Sequence, residues 1–168
     1  QVKYNLLARG ISVSNFHASD DRQSVRDQVF REISPLVDVS ARTFWIKKID
    51  ENRSDSNAVD LYELFGVAIA RAALVELRHR EAKTLVVVFD KALKHREEQA
   101  FLSKAKTIFS RMNYPFHIYF HSVSKDFNGQ IADYVAWANY VALERNEFRP
   151  VASLPSNLSL VSEIKSKP

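Results

Sequence analysis

The sequence predicts an α/β fold in which helices pack on a mostly parallel sheet. Three observations carry that expectation. Segments with strand and helix character alternate along the chain, as parallel sheets with crossover helices require. Thr84 to Phe89 is a continuous β-branched run, the pattern of a strand buried on both faces. Phe116 to Val123 is a second such run, aromatic as well as β-branched, and leads through a polar turn into a helical pattern.

Taken in order, Lys3 to Val13 reads as the end of a helix or as an edge strand, with a turn at Gly10. Ser19, Asp20 and Asp21 offer N-caps to a helix carrying Val25, Val29 or Phe30, and Ile33, which Pro35 ends. Thr43 to Ile49 reads as a strand and the polar Asp50 to Asn57 as a loop. A long Ala-rich helix is predicted from about Ala58 to Arg80, and another from Lys94 to Met112, broken by Asn113-Tyr114-Pro115. After the Phe116 to Val123 strand and the turn at Ser124 to Gly129, Ile131, Tyr134 or Val135, Ala138 and Val141 or Ala142 recur at helical spacing. Gln130, Asp133, Trp137, Tyr140 and Glu144 fall on the other sides of that helix. Residues 1–150 form one predicted domain. Residues 151–168 are rich in Ser, Pro and Lys and read as a tail, which Leu154, Leu158 and Leu160 can pin in part.

Composition sets outer bounds. The chain has 168 residues, 46% hydrophobic and 26% charged, enough to bury a core. It has no cysteine, hence no disulfide or thiolate metal site, and its longest apolar run, Leu85 to Phe89, is too short to span a bilayer. With no signal-peptide pattern at its start, a cytoplasmic setting without membrane contact is expected. The net charge of +4 mildly favours an anionic partner. A basic stretch from Arg78 to Arg111 is interrupted by Glu76, Glu81, Glu97 and Glu98, so a solvated helix surface explains it better than a phosphate-tracking face.

Several chemistries are excluded. His117 and His121 on one strand would stand roughly 13 Å apart, too far for a zinc pair. The only glycines are Gly10, Gly66 and Gly129, so there is no phosphate-cradling loop, dinucleotide fingerprint or nucleophile elbow. Trp45, Trp137, Tyr134 and Tyr140 can stack on bases, although core packing accounts for most aromatics in such elements.

The string His121-x-x-Ser124, then Gln130-Ile131-Ala132-Asp133-Tyr134, Trp137-Ala138 and Glu144-Arg145, with Arg149 beyond, resembles the C-terminal signature of a mostly prokaryotic family, domain of unknown function 3800. The resemblance extends back to Phe16-His17-Ala18, Val25-Arg26 and Phe30, to the strand with Lys47, and to Phe89-Asp90. It implies a ribonuclease H-like fold, three layers α/β/α around a mostly parallel sheet, and metal-dependent hydrolysis of phosphodiester bonds in DNA or RNA. On that reading Asp90 and Asp133 are catalytic ligands to Mg²⁺ or Mn²⁺, carboxylates gathered around two ions about 4 Å apart. His17 would relay protons, Lys47 would steady a phosphate, and Ser124, Gln130 and His121 would contact substrate.

Each residue also has a plainer reading. Asp90 serves equally as a turn or capping aspartate ahead of Lys94, Asp133 as a helix residue paired with a cation, and the others as satisfied polar groups. The family generally opens with a strand carrying an Asp-Glu-Ser motif, which this sequence lacks. The chain is then a fragment, or this carboxylate is lost, or Asp20 or Asp21 replaces it. The competing expectation is a non-catalytic degenerate nuclease fold that binds protein or nucleic acid in a defence or mobile-element system. Carboxylates clustered in one cleft favour the enzyme. Carboxylates neutralised by Lys or Arg favour the module.

Overall fold

The computed structural model describes residues 2–36, 38–47, 58–80, 82–91 and 93–164. It is a mixed α/β structure whose elements run α1 Val2–Leu7, α2 Gln23–Ile33, β1 Arg42–Trp45, α3 Ala58–Arg80, β2 Leu85–Asp90, α4 His95–Ser110, β3 Phe116–His121, a 3₁₀ turn at Val123–Lys125, α5 Phe127–Arg145, α6 Arg149–Ala152 and β4 Leu160–Glu163. The chain divides into two compact units, one formed by Gln1–Trp45 with Ser122–Ser162 and the other by Ile46–His121 with Glu163–Pro168. Each has its own hydrophobic core.

The first unit is built around α5. Asp126 takes extended backbone angles and its carboxylate accepts the Asn128 N–H at 2.8 Å and the Gly129 N–H at 3.3 Å, a side-chain N-cap. That cap starts the helix at Phe127, inside the predicted turn. At its other end Asn146, at φ 54°, takes the left-handed conformation that closes helices. Tyr134, Val135 and Ala138 bury their side chains against Phe16, Val25, Val29, Phe30 and Ile33. Tyr134 and Phe30 meet edge to face, with centroids 5.5 Å apart.

Leu6 on α1 joins the same core, so the first segment is helical rather than an edge strand. Gly10, at φ 74°, turns the chain so that the Ile11 N–H returns to the Leu6 carbonyl at 2.9 Å. The expected caps do not cap α2, whose N-cap is Arg22 without a side-chain bond. Part of the C-terminal segment is pinned as its leucines suggest: Leu154 and Leu158 lie in the core and β4, Leu160–Glu163, pairs with β1. Asn157 secures the pairing region by donating to the Leu36 and Val39 carbonyls at 2.9 and 2.5 Å.

In the second unit β2 and β3 are parallel and in register from Leu85 opposite Phe116 to Asp90 opposite His121. Alternation along both strands sends Val87, Phe89, Phe116, Ile118 and Phe120 toward Phe101, Ala105 and Phe109 of α4. Gly66 on α3 sits against the Phe101 ring, an approach that a small residue permits. Among the described residues the strands thus fall into two two-stranded sheets. The first predicted strand is shorter than expected, ending at Trp45, while Lys48 and the loop Asp50 to Asn57 lie outside the described residues.

Candidate functional site

The polar residues of α5 do a structural job that single-residue reading does not reveal. Gln130, Asp133 and Tyr134 stand at helical spacing i, i+3 and i+4, and hence on one face. Together they bracket the segment Phe16 to Asp21. The Gln130 side chain accepts the Phe16 N–H at 3.2 Å and donates to the Ser124 carbonyl at 3.1 Å. Asp133 Oδ2 accepts the Ala18 N–H at 2.8 Å. Tyr134 donates its phenol to Asp21 Oδ2, which also accepts the His17 N–H at 2.9 Å. Burial, and then the Asp21 carboxylate, push the Tyr134 phenol far above its ordinary pKa, so it stays a donor. Arg26 closes the bracket by donating to the Ala18 and Asp21 carbonyls at 3.0 and 2.6 Å.

Beside this bracket opens a cleft of about 570 Å³ lined by residues of the first unit, Arg26, Asp133, Trp137, Tyr140, Arg145 and Arg149 among them. The Arg26 guanidinium lies 4.8 Å from the centre of the Trp137 ring and that of Arg145 lies 5.7 Å from the Tyr140 ring. Glu147 also lines the cleft and is paired with Arg149 at 2.9 Å. Of the cleft's two carboxylates, therefore, one serves a cation and the other a backbone amide. Of its three guanidinium groups Arg26 is held by the Ala18 and Asp21 carbonyls and Arg149 by Glu147, and among the described residues Arg145 with the Tyr140 ring is the pair that is not committed to a carbonyl or carboxylate.

The sequence-predicted residues divide between the two units. His17, Asp133, Gln130 and Ser124 come together in the first unit, Ser124 through its carbonyl, its hydroxyl being 2.8 Å from that of Ser122. His17 Nδ1 is 3.7 Å from Asp133 Oδ2 and 3.0 Å from Ser19 Oγ. Hydroxyl and carboxylate thus address the same ring nitrogen, whereas a nucleophile triad places them on opposite nitrogens. Asp90 and His121 lie in the second unit, exposed at the carboxyl ends of β2 and β3 and paired in register. Lys47 is exposed and lies just beyond β1.

The fit to the divalent ions that the resemblance implies is a question of donors. Two-ion chemistry needs several carboxylate oxygens directed at one point. In the first unit Asp133 Oδ2 and Asp21 Oδ2 already accept backbone amides, and Asp20 accepts the Ser19 hydroxyl at 3.0 Å. Among the described residues no group of three or more His, Cys, Asp or Glu side chains is gathered to hold a metal. The donor set of this unit does not fit such a centre.

Arg26, Arg145 and Arg149 were not among the residues that sequence chemistry singled out for the site, and Tyr140 was assigned no more than a general stacking capacity. The available signal was the spacing Trp137, Tyr140, then Arg145 and Arg149, which runs aromatic to cationic along one helix and its exit. Fold and site together define an α/β protein with an aromatic, cation-lined cleft on one unit. Set against protein-family models, curated proteins and solved structures, the chain matches none. Among the described residues no helix is long and apolar enough to cross a membrane.

Proposed function

We propose that this chain binds the phosphate backbone of nucleic acid through the cleft of its first unit, as a ribonuclease H-like α/β module that holds its ligand without hydrolysing it. The observation that carries the reading is the cleft's composition: exposed Arg145 and Arg149 beside Tyr140, with Arg26 and Trp137 forming its structural wall, against carboxylates already engaged. Guanidinium groups match phosphate oxygens, and releasing counterions from the backbone drives association. The resemblance of the Gln130 to Tyr134 string and the parallel β2–β3 pair support the fold assignment.

The test is fluorescence anisotropy with labelled DNA and RNA oligonucleotides at increasing salt. Affinity should fall as salt rises from about 50 to 200 mM, and the Arg145→Ala, Arg149→Ala double variant should weaken binding and reduce the logarithmic salt slope by about 1.4 on single strands. Absence of binding at low salt sinks the reading.

A metal-dependent phosphodiesterase is the second reading. It is favoured by Asp90 at a strand's carboxyl end, where α/β ligand sites form. It predicts cleavage only with Mg²⁺ or Mn²⁺, lost in Asp90→Asn. Cleavage surviving that substitution removes it.

A further inference from the structure

We propose that the cleft is selective for single-stranded nucleic acid, with an unpaired base stacking on the Tyr140 ring while Arg145 and Arg149 hold the adjoining phosphates. The inference deepens the backbone-binding reading and rests on it. Tyr140 is 50% exposed, although its α5 neighbours Val141 and Ala142 are buried, so packing does not explain a large ring there. It lines the cleft with Trp137, three positions earlier and hence one turn away on the same helix face. The two rings differ in availability. Trp137 packs against the first core, its ring centroid 6.3 Å from that of Phe30, and it carries the Arg26 guanidinium. Tyr140 carries Arg145 at 5.7 Å and otherwise stands open.

An open ring beside a guanidinium is the arrangement on which unpaired bases stack, since every base has a π-face and its phosphate follows within reach of the cation. A duplex offers no such face. Its bases are stacked on one another, and it would engage the arginines alone. Arg149, with a side chain 65% exposed, can exchange Glu147 for a phosphate at little cost, because exposed ion pairs are weak.

The experiment compares three labelled probes on the whole chain: an oligothymidylate of about 15 nucleotides, the duplex of equal length, and an abasic strand of equal length. Binding of the oligothymidylate about ten-fold tighter than the abasic strand is expected, with Tyr140→Ala abolishing the difference and Tyr140→Phe preserving it. Equal affinity for all three probes, unchanged by Tyr140→Ala, overturns base stacking and leaves backbone binding standing. Failure of every probe to bind overturns both.

Discussion

At the scale of single residues, the carboxylate of Asp133 and the phenol of Tyr134 are structural before they are anything else. Asp133 Oδ2 accepts the Ala18 N–H, and an Asn carbonyl oxygen can replace it. Asp133→Asn should therefore keep stability within about 1 kcal/mol, whereas Asp133→Ala should cost about 1–3 kcal/mol by orphaning the amide, as urea unfolding would measure. An Asn variant as unstable as the Ala variant would show that the charge matters and not the hydrogen bond. Tyr134 supplies a pH dependence. Its phenol holds its proton more tightly in the folded chain than in the unfolded one, so its stabilisation is complete at neutral pH. Above about pH 10 the unfolded phenol ionises first and stability declines. Urea midpoints of Tyr134→Phe should be lower than those of the parent at neutral pH and should fall less steeply above pH 10. His17, Gln130, Ser124 and Asp133 were named from the sequence through the family resemblance, together with Asp90, Lys47 and His121, which lie elsewhere. The structural role of the first four was not legible there, because Tyr134 reaches Asp21 across 113 positions and no local pattern reports such a bond.

At the scale of elements, helices and strands were legible wherever periodicity was strong and one side chain did not decide the boundary. The β2–β3 pair forms where two runs rich in β-branched or aromatic residues predict strands, but β2 is not buried on both faces as its continuous run suggested: Val87 and Phe89 face α4 while Val86 and Val88 are exposed. The start of α5 was displaced because the Asp126 carboxylate caps it, a contest between turn and helix that composition alone leaves open. The C-terminal segment 151–168 read as a tail because five Ser and two Pro within it outweigh a few Leu in any window, and Leu158, one of the residues expected to pin it, is wholly buried. The glycines allow a sharp test. Gly66 lies inside α3, and a Cβ there would meet the Phe101 ring at an ordinary 3.7 Å, so Gly66→Ala should stabilise by about 0.5–1 kcal/mol. Gly10 has a positive φ with open space around it, so Gly10→Ala should destabilise although nothing clashes. Thermal unfolding of the two variants should shift in opposite directions, and a common direction would contradict the conformational argument.

At the scale of the whole molecule, the sequence predicted one mostly parallel sheet because its alternation of strand and helix carries no mark of which strands pair. The two cores became visible only through partners: β1 pairs with β4, drawn from what read as tail, while β2 pairs with β3. Each core is lined by residues of its own unit. The first gathers Leu6, Phe30, Tyr134 and Leu158, and the second gathers Val87, Phe101 and Phe109. Leu158 and Phe101 are both fully buried, and truncating either to Ala should cost about 2–5 kcal/mol. The costs should fall in different places. Local opening follows the contacts that a segment loses. Leu158→Ala should therefore accelerate amide exchange most in α2 and α5, and Phe101→Ala most in β2, β3 and α4. Hydrogen exchange read by mass spectrometry separates these patterns peptide by peptide. Equal acceleration of α5 and β2 by both variants would mean that the two cores open as one cooperative body, and the separate cores would then have no thermodynamic meaning.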